Sequence, residues 1–194
     1  MKFAIAILVI GIVFFGWKMV SRSAYETARY EVVEKDGSIE IRSYPELKLV
    51  STSMKFSAQG NDGSFMRLFG YISGKNDSQQ KIAMTTPVFM DPEESDKQGK
   101  MSFVLPEKFS DRSVPEPSAN GVEIDTRPAG RYAVIRFSGW LNDKTAAKAE
   151  EKLRSWLAER GLKAEAEMEA AGYDPPITPG PFRRNEVLLR LTEN

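Results

Sequence analysis

The chain writes part of itself twice. Ile39-Glu40-Ile41 followed by Pro45 returns as Val122-Glu123-Ile124 followed by Pro128, with one offset relating all four positions. Each copy is a short alternating strand that runs into a proline, a residue with no N–H to give a ladder. What comes next also matches. After Pro45, Leu47 to Met54 reads as a strand and a helix follows; after Pro128, Tyr132 to Phe137 reads as a strand and a second helix follows. Two further strands close each half. The order strand, strand, helix, strand, strand, given twice, predicts an α+β domain with a pseudo-twofold. Its antiparallel sheet is curved or closed into a barrel, with two flanking helices outside.

The stretch from Gly60 to Met90 carries the first helix. Phe65, Leu68, Phe69 and Ile72 fall at i, i+3, i+4 and i+7, one apolar stripe. Asp62 or Ser64 is placed to cap its first turn, and Gly74 to end it in a left-handed conformation. Lys81 to Met90 then sets Ile82, Met84, Val88 and Met90 at even spacing, a strand with an edge or bulge at Pro87. The second helix begins at Asn142 or Asp143, puts Ala146, Ala149, Leu153, Trp156 and Leu157 on one side, and stops at Gly161. Lys163 to Ala170 is rich in alanine and glutamate, which favour helix. Its charges nevertheless alternate with apolar residues, and the period of two predicts a strand. Asp36-Gly37 marks a hairpin between Tyr30 to Glu34 and Ser38 to Ser43. Met101 to Leu105 is a strand ended by Pro106, and Asn185 to Leu191 is the last strand. The acidic run from Asp91 to Asp96 fits no calcium loop and reads as a solvated hairpin tip.

Two absences narrow the chemistry. Among 194 residues there is no cysteine and no histidine. Disulfides, thiolate nucleophiles, imidazole bases and zinc sites of either ligand are therefore excluded. No catalytic residue and no metal ligand is assigned. The 27 basic and 27 acidic residues balance, and no basic run provides the footprint of a nucleic-acid binder.

Residues 1–23 stand apart from the domain expected over residues 24–194. Phe3 to Trp17 is uncharged and apolar, preceded by Lys2 and followed by Lys18. As a helix it is about 22 Å long, short of a comfortable span unless Met19 and Val20 extend it past a snorkelling Lys18. It reads as a retained transmembrane helix or as the core of a cleaved signal peptide, ahead of a buried N-terminal helix, because apolar residues occupy every side rather than one stripe. The first two readings place the domain at a membrane or in the cell envelope, with the periplasmic side the expected location.

Three segments resemble the SOUL haem-binding protein family. They are Tyr71 to Asn76 running into Lys81 to Val88, then Met101 to Pro106, then Ala171 to Pro176 running into Arg183 to Val187. The resemblance implies a distorted antiparallel β-barrel with two helices and internal pseudo-symmetry. It also implies non-covalent binding of haem or another tetrapyrrole or porphyrin, without catalysis, in an apolar groove beside the first helix and near the loop before the last strand. Carried over by motif, Phe65, Met66, Leu68, Phe69 and Ile72 come from the helix and Tyr173 from the loop. Lys75, Arg183 and Arg184 are available for propionate carboxylates. Some members use a histidine as axial ligand, and this chain has none. Met66 or Tyr71 remains as a weak ligand for iron.

Two other readings stand beside this one. In the first, the groove is that of a hydrolase or modifying enzyme for a small amphipathic molecule, with Glu186 and Tyr173 as working groups and a raised Glu186 pKa as its signature. In the second, the chain is an envelope scaffold whose helix stripe is ordinary core. The two prolines after Tyr173-Asp174 fit either a ligand-facing lip or a plain turn.

Overall fold

The structure is a computed structural model that describes residues 25–93 and 97–192. Its elements run β1 (Glu26–Thr27), β2 (Glu31–Asp36), β3 (Ile39–Tyr44), β4 (Leu47–Ser53), α1 (Ser64–Ile72), β5 (Thr85–Thr86), β6 (Val88–Asp91) and β7 (Lys100–Val104). There follow β8 (Val122–Arg127), β9 (Gly130–Phe137), α2 (Asp143–Glu159), β10 (Ala164–Gly172) and β11 (Asn185–Leu191). Nine strands form one antiparallel sheet in the order β2-β3-β9-β11-β10-β6-β7-β4-β8, and β1 pairs with β5 in parallel beside it.

The repeat is visible in that order. Exchanging β3, β4, β6 and β7 for β8, β9, β10 and β11 reverses the sheet without changing it, β2 excepted. The pseudo-twofold therefore passes between β6 and β10. The two prolines mark the two sharpest constraints. Only Pro45 and Glu46 connect β3 to β4, yet five strands lie between them in the sheet. At about 4.8 Å per strand a flat sheet would separate them by about 29 Å, and three peptide steps reach about 11 Å. Pro128 and Ala129 impose the same demand on β8 and β9. The sheet must curl until its ends meet.

It does not close as a barrel. β3 has ladder partners on both sides, β2 and β9, so the hairpin arm β2 occupies the edge that β8 would need. Side chains cross the seam instead. Arg127 of β8 lies over the rings of Tyr132 (3.7 Å), Tyr44 (4.7 Å) and Phe89 (4.8 Å), and its Nη1 has no hydrogen-bond partner. The aromatic faces take that place.

Strand parity divides the core in two. The outer face, under the helices, gathers Ile41, Val50, Phe103, Ile135 and Leu189 against Leu68, Ile72, Leu153 and Trp156. The inner face of the curl gathers Tyr44, Leu49, Phe89, Tyr132, Tyr173 and Leu188. Helix α2 starts with a reciprocal cap, Asn142 accepting from the Thr145 N–H and Thr145 accepting from the Asn142 N–H, both at 3.0 Å. Helix α1 differs from expectation at its start. Gly63 in a left-handed conformation is its N-cap, and the Asp62 carboxylate accepts from Lys55 and Ser64 N–H at 2.7 and 3.0 Å rather than capping the helix. The strand expected over residues 81–90 is split at Pro87, whose missing N–H interrupts the ladder, and residues 81–84 lie outside any strand, with the Ile82 N–H bonded to the Ile72 carbonyl at the end of α1. Residues 164–172 are indeed a strand. No helix among the described residues is long and apolar enough to cross a membrane, and the segment read as anchor or signal lies outside them.

Candidate functional site

A cleft of about 330 Å³ opens on the helix side of the sheet. One wall is α1. Its stripe divides in two: Leu68 and Ile72 are buried in the core, whereas Phe65 and Phe69 turn to the cleft. Phe65 packs edge-on against Phe103 at 5.2 Å, and the two helix rings stack at 6.1 Å. Phe69 remains 43 % exposed. The floor is Met84, Thr86 and Val88, where the proline break ends one strand and starts the next. The C-terminal end of α1 is tied to this floor. Asn76, buried, donates to the carbonyls of Tyr71 and Gln80 and accepts from the Gln80 N–H, while the Ile82 N–H donates to the Ile72 carbonyl.

The opposite wall runs from Gly172 to Pro176. It is held from inside the curl. The buried Tyr173 hydroxyl donates to Glu186 at 2.8 Å, and Glu186, wholly buried, also takes two bonds from Arg42 at 2.8 and 3.0 Å. Arg184 adds two more at 2.7 and 2.9 Å and lies over the Tyr173 ring. Asp174 accepts the Arg184 N–H at 2.5 Å. Burial alone would raise the Glu186 carboxyl, but the bonds and charges of Arg42 and Arg184 hold it below the ordinary carboxylate value. Burial, with the Glu186 charge behind it, pushes the Tyr173 phenol well up. The pair thus stays as phenol and carboxylate through the neutral range.

Of the residues expected at the site, Phe65, Phe69 and Tyr173 meet at the cleft. Leu68 and Ile72 support it from the core, and Met66 stands exposed on α1 outside the lining. Lys75 folds its stem beside Gly70, where an added Cβ would lie 3.2 Å from the lysine Cδ. Arg183 stacks on Trp140 at 4.0 Å and donates to the Thr178 and Pro176 carbonyls. Arg184 belongs to the Glu186 cluster, and the Tyr71 hydroxyl, buried, donates to the Pro115 carbonyl. Among the described residues no lysine or arginine lines the cleft, and Asp174 is the one charged residue in its lining. Met84, Val88 and Tyr25 went unassigned in the sequence. The first two carried a signal, since apolar residues either side of a strand-breaking proline leave a face without a neighbouring strand. Among the described residues no group of acidic side chains is placed to hold a metal.

The first and third of the resembling segments line an apolar cleft between the first helix and the loop before the last strand, and Phe103 of the second packs behind it on Phe65. A family model described as SOUL heme-binding protein matches residues 25–190. The chain belongs to the SOUL family. Similar proteins include Heme-binding protein 1 of Xenopus laevis, 30 % identical over 79 % of this chain and 84 % of that one. Heme-binding protein 2 of Homo sapiens is 32 % identical over 86 % of each chain. Among solved structures, the EcmrR C-terminal domain superposes with a TM-score of 0.56 at 12 % identity, covering 85 % of this chain and 99 % of that one. A protein from Listeria innocua titled a hydrolase gives 0.58 at 10 % identity, covering 82 % and 94 %. Those two likenesses show a shared SOUL-like fold and carry nothing about activity.

Proposed function

We propose that this SOUL-family domain binds haem or another flat tetrapyrrole non-covalently in the cleft between α1 and Gly172–Pro176, without histidine ligation and without a catalytic step. The observation that carries the reading is the lining itself. Two stacked phenylalanine rings face a proline lip across a floor of Met84 and Val88, which suits the face of a macrocycle. The names of the Xenopus and human relatives point the same way. The donor set fits the macrocycle better than its iron, for Met84 is the one soft donor among the described lining residues, while Met66 and Tyr71 lie away from it. Arg183 and Arg184 are spent on internal bonds, so propionates extend from the open mouth without an arginine partner in the lining. Binding then depends on the ring face more than on the metal. The enzyme reading loses its signature: the Glu186 carboxyl is lowered rather than raised, and its oxygens are taken by Arg42, Arg184 and Tyr173. Residues 1–23 anchor this domain in a membrane or export it to the envelope.

The test is titration of residues 24–194 with hemin and, separately, iron-free protoporphyrin, followed by absorbance and tryptophan quenching. One-to-one saturable binding of both is expected. Phe69→Asp, at a half-exposed ring, abolishes it while the thermal transition survives; Leu68, wholly buried, is unsuitable for this purpose. Absence of saturable binding by either ligand overturns the proposal.

A further inference from the structure

Large apolar side chains are exposed at Tyr25, Met66, Phe69, Trp140, Ile177 and Phe182, and elsewhere among the described residues only at Val32 and Val33 on β2. Five of the six, Met66 apart, follow one path from the cleft mouth along the loop before β11. Tyr25 and Phe69 line the cleft mouth with Pro175 and Pro176. Ile177, 69 % exposed, continues that lip, and Phe182, 72 % exposed, ends the same loop. Trp140 lies beside Gly180, where an added Cβ would come within 3.0 Å of its indole nitrogen, and Arg183 covers its ring. Such a surface, aromatic and aliphatic with an arginine stacked at its margin, combines what the interfacial zone of a bilayer selects.

The chain's own path supplies the second argument. β1 pairs with β5, with Thr27 and Thr86 hydroxyls 3.1 Å apart and the Ala28 N–H on the Thr86 carbonyl. The chain therefore enters the domain at Tyr25, on the rim of the cleft. Eight residue steps separate Tyr25 from Trp17, the end of the uncharged apolar run, and reach at most about 29 Å. Those steps include Lys18 and Arg22 and no acid, a composition that favours anionic head groups.

We propose that this face docks on a lipid bilayer, with Ile177, Phe182 and Trp140 in the interfacial zone and the cleft mouth turned toward the lipid. The docking is independent of what the cleft holds. Because the chain has no cysteine, single labels report on it cleanly. Full-length protein carrying Ile177→Cys or Phe182→Cys, each labelled with a nitrobenzoxadiazole dye, is added to phosphatidylcholine–phosphatidylglycerol vesicles. Lys148→Cys on α2 and Val33→Cys on β2, both exposed positions, serve as references. The expected result is a blue shift and a several-fold rise in emission at 177 and 182, quenched by lipid-borne doxyl groups, with both references unchanged. Labels at 177 and 182 that stay as open to aqueous iodide as those at 148 and 33 overturn the proposal. So does a shift that depends on protein concentration without vesicles, which assigns the face to a second copy.

Discussion

The two faces of the curled sheet are held by different physics. The outer face is sealed by helices with aliphatic and aromatic side chains, and its interior positions are apolar almost throughout. The inner face has no helix. It is filled by Tyr44, Tyr132, Tyr173 and Phe89, and among them lie Arg42, Arg127 and Glu186, all buried. Arg127 bonds Glu169 at 2.7 Å while lying over three rings, and Arg42 bonds Glu186 while lying over Tyr30 at 4.2 Å. A sheet that meets itself without a closing ladder needs something to span the seam, and long cations reaching across aromatic faces do so. The outer face should therefore respond to lost volume, and the inner face to lost charge.

The largest effect is expected at Glu186→Gln. The substitution keeps the volume and removes the charge opposing Arg42 and Arg184, leaving the buried Arg42 with Glu40 alone and the partly buried Arg184 without a carboxylate partner, one positive charge in excess. Breaking a buried pair in this way costs about 3–5 kcal/mol. Urea denaturation of the variant and parent over a pH series measures it. Since the Glu186 carboxyl sits below its ordinary 4.5 in the folded protein, its contribution is present above that value and is lost as pH falls through the lowered one. The penalty should therefore shrink in acid. Leu153→Ala, on the outer face, comes next at about 3 kcal/mol, from lost burial and the cavity left behind, with no dependence on pH. A penalty at Leu153 that tracked pH, or one at Glu186 that did not, would break the division between the faces.

These differences bear on what could be read before folding. Both helices, the alternating strand at residues 164–172 and the last strand were legible because each rests on local periodicity. The doubled proline motif reported the two corners. Its outcome as an open sheet was not legible, because β2 and β8 compete for one edge of β3 and nothing local ranks them. The site was half legible for a similar reason. Phe65, Leu68, Phe69 and Ile72 share one stripe, yet which of them faces a cleft is decided by Pro175 and Pro176 on a distant loop. Glu186 carried only the neighbour signal of Arg184; its principal partner, Arg42, is 144 positions away.

The smallest effect sharpens the comparison most, because its sign is reversed. Asp91 is half-buried on the inner side of β6, opposite Lys100 of β7. Burial, and then the charge of Glu169, push its carboxyl up to about 7; Lys100 and Arg127 oppose the rise, and Asp125 adds to it. The folded chain thus binds a proton here that the unfolded chain, with an ordinary value of 3.8, has already released. Stability from this group is full below about 3.8 and falls as pH rises to about 7, by about 2 kcal/mol once screening at the open end is allowed for. Asp91→Asn removes the titration. The variant should gain on the parent as pH rises through that window, whereas the loss at Glu186→Gln develops below pH 4.5 and is constant above it. If Asp91→Asn tracks the parent at every pH, Lys100 holds Asp91 as a carboxylate in the folded chain, and both acids belong to the same ion-paired network.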